Sequence, residues 1–258
     1  MTKIEALKAF NDNYIWTWSQ NNNTWVVDPG DAAPVIEYLE KNRSKLAGIL
    51  LTHHHADHSG GIAELVKRWP QCAVTASHKS PIKEITHRVH EGDRVACGPF
   101  TFTALEIPGH TLDHVAFYDE SHLFSGDTLF SAGCGKVFEG TVDEMYTSLM
   151  KLFNLSDQTN IYCGHEYTLA NLQFAEVAEP ENNRIKTKLA EVEMVRAAGK
   201  PTLPALLQDE RLYNPFLRCK EPTIKKSVEA TTQKNLSDPV QVFAALRAWK
   251  NNFRGITK

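Results

Sequence analysis

Apolar and polar positions change their period near the middle of this chain. In the first part, short apolar runs alternate with turn residues. Tyr14-Ile15-Trp16-Thr17-Trp18 and Thr24-Trp25-Val26-Val27 flank Gln20-Asn21-Asn22-Asn23, which predicts a β-hairpin. Asp28-Pro29-Gly30-Asp31 reads as a turn, and Val35, Ile36 and Leu39 after it predict a helix. Gly48-Ile49-Leu50-Leu51 has the continuous apolar character of a buried strand, and Ile62, Leu65, Val66 and Trp69 have helical spacing. Residues 100–107 predict another strand, and Thr141-Val142-Asp143-Glu144 has the form of a capping box. Further on, helices dominate. Ile185, Leu189, Val192 and Val195 share a face, and Gly199-Lys200-Pro201 stops that helix. Ser237-Asp238-Pro239 opens a last one through Phe243, Leu246 and Trp249. The change of period falls between residues 165 and 180, so we expect a domain of residues 1–165 followed by a helical domain of residues 166–258. Trp16, Trp18 and Trp25 are expected in core or sheet packing.

Composition narrows the class. A chain of 258 residues with 42% apolar content can build a core of ordinary size. A formal net charge of -3 gives no general attraction to nucleic acid. No apolar stretch is long enough to span a membrane, and Met1-Thr2-Lys3-Ile4-Glu5 lacks the apolar region of a secretory leader. The five cysteines are odd in number and scattered, with no C-x-x-C pair. That pattern argues against a disulfide scaffold and for the reducing cytoplasm.

Candidate chemistry concentrates in Leu51-Thr52-His53-His54-His55-Ala56-Asp57-His58, which reads H-x-H-x-D-H. Imidazoles and carboxylates are the ligand types of Zn²⁺ and related ions, and the run offers more of them than one tetrahedral ion can easily use. We therefore expect two ligands to go to one metal and two to a second, with the rest arriving from elsewhere. If the run is extended, His53 and His55 share a side and His54 points away. Ser59-Gly60-Gly61 marks a bend, so the ligands sit on a strand-to-helix loop. The same event recurs: Pro108-Gly109-His110-Thr111, Ser125-Gly126-Asp127-Thr128 and Cys163-Gly164-His165-Glu166 each follow a strand-like run.

This ordered set resembles the metallo-β-lactamase superfamily. Within it, the flanking residues resemble glyoxalase II, the hydroxyacylglutathione hydrolases. The similar segments are Asn11-Asp12-Asn13-Tyr14, Val27-Asp28-Pro29-Gly30, the stretch from Gly126 to Lys136, Gly164-His165-Glu166-Tyr167-Thr168, and Asn214-Pro215-Phe216-Leu217-Arg218. Together they run over nearly the whole chain. The resemblance implies an α+β fold: an αββα sandwich in residues 1–165 and a C-terminal helical, substrate-binding domain in residues 166–258. It implies that His53, His55 and His110 hold one metal, that Asp57, His58 and His165 hold a second, and that Asp127 and a hydroxide bridge the two. A carboxylate has two oxygens and can span two cations, and paired divalent ions acidify a shared water. The cofactors implied are two divalent ions per chain, zinc first, with iron or manganese as alternatives.

The activity implied is hydrolysis of S-D-lactoylglutathione and related 2-hydroxyacyl thioesters to glutathione and D-lactate, the second step of methylglyoxal detoxification. Asp57 and Asp127 would take the catalytic roles, Asp57 by accepting a proton of the hydroxide. Lys136, Tyr167, Arg247 and Lys250 match the positions that hold glutathione. Taken alone, Arg247 and Lys250 read as a solvated helix face. Phe138 stands where some family members have Tyr. His114 could orient a ligand or be a packed strand residue. His78, His87, His90 and His122 stand in no ligand pattern and read as surface groups, and Cys134 and Cys163 are not needed as ligands. The expected partner is the small-molecule thioester alone, with no nucleic acid and no membrane, and the expected state a monomer. The rivals are a one-iron glutathione-persulfide dioxygenase, a nuclease or lactonase of the superfamily, and a diiron electron carrier, although His55 occupies the Glu position of that last motif.

Overall fold

Alternation along one strand shows how the first sheet is buried. In the computed structural model, which describes residues 2–254, β2 spans Asn13–Gln20. Its Tyr14, Trp16 and Trp18 join a cluster that continues into a second sheet, while Ile15 joins a cluster shared with helices. A strand with an apolar residue on both faces can only be an inner layer. The β4 strand, Lys45–Leu51, behaves likewise: Leu50 faces inward, and Ile49 and Leu51 face the helices.

The first sheet has the order β1 (Glu5–Ala9), β2, β3 (Asn23–Val27), β4, β5 (Ala73–Ser77), β6 (His87–Val89). Its first two pairings are antiparallel and the rest parallel. The expected hairpin joins β2 to β3 through Asn21 and Asn22, whose φ values of 50° and 62° fit the tight turn that asparagine tolerates. Helices α1 (Ala32–Asn42) and α3 (Ile62–Arg68) cover its outer face through Val35, Leu39, Ile62 and Leu65. Between them lies the single turn α2, Ala56–Ser59.

The second sheet is built mostly of antiparallel strands: β7 (Arg94–Cys97), β8 (Phe100–Glu106), β9 (Val115–Asp119) and β10 (His122–Gly126). After the small hairpin β11 (Leu129–Phe130) and β12 (Gly133–Cys134), β13 (Asn160–Cys163) adds parallel to β10. The two inner faces meet in an aromatic core, where the Trp18 ring lies 5.7 Å from that of Phe102 and 5.6 Å from that of Phe124. Helix α4 (Val142–Phe153) carries the expected capping box, with Thr141 and Glu144 bonded reciprocally. It packs with Met145 and Leu149 in the same cluster. The layers are therefore helix, sheet, sheet, helix.

Residues from 168 onward are helical apart from β14 (Ala205–Leu206), which pairs with β13 at the edge of the second sheet. The helices are α5 (Thr168–Ala178), α6 (Asn183–Ala197), α7 (Leu207–Tyr213), α8 (Pro222–Thr232) and α9 (Pro239–Asn252). Phe216, Phe243 and Leu246 share the sandwich's own cluster, so this helical part continues the core and does not stand beside it. Met1 and residues 255–258, the ends of the two expected domains, lie outside the described residues. No helix among those described is long and apolar enough to cross a membrane.

Candidate metal centre

Three of the four recurring motifs directly follow the end of a strand and the fourth follows β8 within a few residues, and in three of them a glycine stands just before the candidate ligand. Thus His53, His55, Asp57 and His58 follow β4, His110 follows β8, Asp127 follows β10 and His165 follows β13. A register shift between Phe124 and Gly126 re-aims the end of β10 toward the site. Gly126 sits there with φ at 48°, and a Cβ would come within 2.4 Å of Thr52 Oγ1, so only glycine fits this bend.

Two triads of candidate ligands form, with Asp127 touching both. His53 Nε2 and His110 Nε2 each lie 3.1 Å from His55 Nδ1. His58, His165 and Asp57 make the second triad, with His58 Nε2 3.3 Å from His165 Nε2 and Asp57 Oδ2 within 3.5 Å of both imidazoles. Asp127 Oδ1 lies 3.3 Å from His58, and its Oδ2 lies 3.2 Å from His165 and 3.7 Å from His110.

These contacts fit metal ions. Imidazole nitrogens that face each other repel through their lone pairs unless a proton or a metal ion stands between them. Burial and the neighbouring imidazole of His58 hold His53 well below its ordinary range. Burial also opposes charge on His58, but Asp127 and Asp28 outweigh it and hold that ring well above its range. Burial is likewise overcome at His165, where hydrogen bonds to Asp127 and Asp57 push it up to about 10. The hydrogen bond from His165 leads in holding Asp57 far below the usual carboxylate range. The second triad thus draws positive charge onto its imidazoles, whereas burial keeps His53, His55 and His110 uncharged, the form in which imidazole binds a metal ion.

The second nitrogen of four of the imidazoles is bonded outward, which sets the tautomer and aims the first nitrogen. His53 Nδ1 lies 3.1 Å from Thr52 Oγ1, His110 Nδ1 lies 2.9 Å from the Lys136 carbonyl, His58 Nδ1 lies 3.0 Å from Asp28 Oδ2, and His165 Nδ1 lies 2.8 Å from Asp12 Oδ1. Asn13 Nδ2 donates to Asp57 Oδ2 at 3.1 Å. His114 is buried, stacks on His53 at 4.6 Å, and accepts the Asp127 backbone N–H at 3.1 Å. It therefore fixes the backbone of Asp127 as well as packing. Asp12, Asn13, Asp28 and Thr52 were assigned no role from the sequence. The signals available were their place, Asn13 at the start of β2 and the others in loops beside strand ends, and, for Asp12, Asn13 and Asp28, the family-like segments that contain them.

Asp28 shows how this outer layer is tested. It is buried, has φ at 52°, and also takes the Thr52 N–H and hydroxyl at 2.7 Å each. Asparagine tolerates that backbone, so Asp28→Asn keeps the turn. Its amide nitrogen would then donate to His58 Nδ1 and leave the proton on the wrong nitrogen. We expect weaker metal binding at the His58 triad by about 10- to 100-fold, read by competition with a chromogenic chelator. Unchanged affinity would remove Asp28 from the site.

Where the cleft opens beside the triads, Lys136, Tyr167, Arg247 and Lys250 line it together with His110, Asp127 and Phe138, around a volume of about 310 Å³. The four residues carried over for substrate binding thus share one cavity. Arg247 is not on a solvated helix face: it is buried, its Nη1 donates to the Cys134 carbonyl at 2.7 Å, and it lies over the Phe216 ring. Lys250 donates to the Ala170 carbonyl at 3.0 Å, and burial, aided by Arg247, brings it down to about 8. Phe138 is exposed and packs edge-on against His55 and His110. The Tyr167 ring stacks on His165 at 4.6 Å. Cys134 lines the cleft and Cys163 is buried, and neither belongs to a ligand triad. His78 stacks on His90, and His122 bonds Asp119, both away from the triads. His54 turns from both triads toward Asp113 and Glu139.

Known proteins align with both parts. The family model described as "Metallo-beta-lactamase superfamily" matches residues 13–165, and that described as "Hydroxyacylglutathione hydrolase C-terminus" matches residues 166–253. A hydroxyacylglutathione hydrolase of Photobacterium profundum is 49% identical, over 98% of this chain and 100% of its own length. Among solved structures, ETHE1 from Myxococcus xanthus has the same fold, with a TM-score of 0.64 over 97% of this chain and 98% of that one at 23% identity. A protein crystallised in a di-iron-bound form aligns with a TM-score of 0.52 over 63% of this chain and 91% of that one at 25% identity.

Proposed function

The chain belongs to the metallo-β-lactamase superfamily and, within it, to the hydroxyacylglutathione hydrolases, and from that premise we propose how its residues carry the reaction. It is a thioester hydrolase, which converts S-D-lactoylglutathione and related 2-hydroxyacyl thioesters to glutathione and the free acid. The observation that carries the residue assignment is the single cleft in which Lys136, Tyr167, Arg247 and Lys250 meet His110 and Asp127.

His53, His55 and His110 would hold one divalent ion, Asp57, His58 and His165 a second, and Asp127 would span both. Bound there, such ions polarise a carbonyl oxygen and acidify water that they share. Zinc is our first assignment. The histidine-rich donor set suits it, and the di-iron-bound relative keeps iron, with manganese, as the alternative. Asp57 is held ionised and is fixed by Asn13, which suits it to metal ligation and to orienting the attacking water or hydroxide through a hydrogen bond more than to carrying its proton away. The two carboxylates of glutathione suit the cationic groups of Lys136, Arg247 and Lys250, and Tyr167 adds a hydroxyl at the same wall. The thiolate leaves without much help from an acid, because a thiol is far more acidic than an alcohol.

Residues 1–165 would then supply the metal-binding unit and residues 166–258 most of the grip on glutathione. All of these residues come from one chain, which supports a monomer as the working unit. Five free, buried cysteines support a reducing, cytoplasmic setting. Incubation of the purified protein with S-D-lactoylglutathione should release thiol, with two metal ions per chain by elemental analysis. A protein fully active with one ion, or one that releases no thiol, overturns this reading.

A further inference from the structure

His54 sits between two ligands and serves neither metal triad. Its Nδ1 lies 2.8 Å from Asp113 Oδ1, and its Nε2 lies 3.3 Å from Glu139 Oε1. Asp113 is buried, takes the Thr111 hydroxyl at 2.7 Å on that same Oδ1, and its Oδ2 meets no donor. Glu139 also accepts the Leu112 N–H at 2.9 Å. One imidazole therefore ties together three loops: residues 52–55, residues 107–114 and residues 135–140.

The third of these loops forms a wall of the cleft, because it carries Lys136 and Phe138. Its Lys136 end is held by the His110 ring, whose Nδ1 lies 2.9 Å from the Lys136 carbonyl, but the backbone attachments farther along are long. Phe138 N and Glu139 N both reach the His110 carbonyl at 3.3 Å, and Gly140 N reaches Gly109 at 3.2 Å. Bonds at that length are at the weak end, so side-chain ties matter more for holding this segment. The Glu139 carboxylate provides two, a hydrogen bond from the Leu112 N–H at 2.9 Å and an ion-pair contact with His54 Nε2, whose attraction depends less on alignment.

We infer that His54 is a positioning residue. Its Asp113 side anchors the imidazole to the fold, and its Glu139 side holds the wall on which Lys136 and Phe138 meet the substrate. The role in turnover rests on the reading of this cleft as the glutathione site, whereas the role in holding the loop does not.

The two ring nitrogens can be separated by substitution. In His54→Asn the amide nitrogen stands near the place of Nδ1 and can reach Asp113 alone. In His54→Gln it stands near the place of Nε2 and can reach Glu139. All variants, including His54→Ala and Glu139→Ala, are compared as purified, metal-loaded protein by metal content, by amide hydrogen exchange at residues 138–140 and by steady-state kinetics. His54→Ala and His54→Asn should keep full metal content, exchange faster at residues 138–140, and raise KM for lactoylglutathione by about 2- to 5-fold, the loss of one partly exposed ion pair, with a smaller change in kcat. His54→Gln should restore both exchange and KM. Adding Glu139→Ala to His54→Ala should give little further effect, because both remove one tie. Metal loss in His54→Ala, rescue by Asn and not by Gln, or unchanged exchange at residues 138–140 would overturn the proposal. A wild type inactive on glutathione thioesters would sink the functional reading alone, since the exchange pattern still decides whether His54 holds the loop.

Discussion

Asp127→Ala is expected to abolish both metal positions together and to lower turnover by about 1000-fold or more, the scale set by several kcal/mol of lost charge stabilisation. Among the proposed ligands it is the one residue that touches both triads, with one oxygen against His58 and the other between His165 and His110. It is buried, and no neighbouring carboxylate can move into its place without breaking its own contacts: Asp28 holds Thr52 and His58, and Asp57 is tied to Asn13. Removing it leaves five imidazoles with one fewer negative charge between them, so ions are lost as a pair. Metal analysis after desalting, beside a thiol-release assay, measures both effects. A variant that keeps one full equivalent of metal would place Asp127 in a single site and undo the bridge.

The second large effect concerns recognition. Arg247→Ala combined with Lys250→Ala should raise KM for lactoylglutathione by about 100-fold, at about 1.5 kcal/mol for each hydrogen bond to a charged group. Contacts remote from the reacting carbon act alike on ground and transition states, so kcat should fall much less. A small neutral thioester without the glutathione moiety should hardly notice the change, and bound metal should stay the same. Added salt should weaken binding to the wild type more than to the variant, because screened ion pairs are what the variant lacks. The buried bond from Arg247 to Cys134 adds a second consequence, a lower thermal midpoint. An unmoved KM, or an equal rise for the small thioester, would detach α9 from glutathione.

Particular residues show how much of this was legible beforehand. The strand-to-ligand motifs could be read because a buried strand must be apolar on both faces and must then bend at a glycine to present a polar group. That logic placed His53, His55, Asp127 and His165 just past strand ends and His110 a few residues beyond β8, and alternation sent His54 away from the triads. The capping box and the Asn21-Asn22 turn were legible for local reasons of the same kind. Asp12, Asn13 and Asp28 were not, because an acid or amide in a loop looks alike whether it bonds water or a distant imidazole. Arg247 was illegible in the opposite sense: one helix face cannot disclose that Phe216 and the Cys134 carbonyl close over it from other elements. The strand β14 was missed because its two residues exist only by pairing with β13.

The five cysteines have a practical side. All are buried, and burial pushes each thiol up, Cys72 and Cys97 to about 12. Reaction with disulfides or alkylating agents requires thiolate and access, and the folded chain denies both. A disulfide formed from the thiol product by an outside oxidant therefore meets no ready thiolate in the fold, not even at Cys134 on the cleft wall, where burial keeps the thiol protonated. The protein's thiols become reactive only when the fold opens, so the rate at which a thiol reagent labels the chain is a clock for its unfolding.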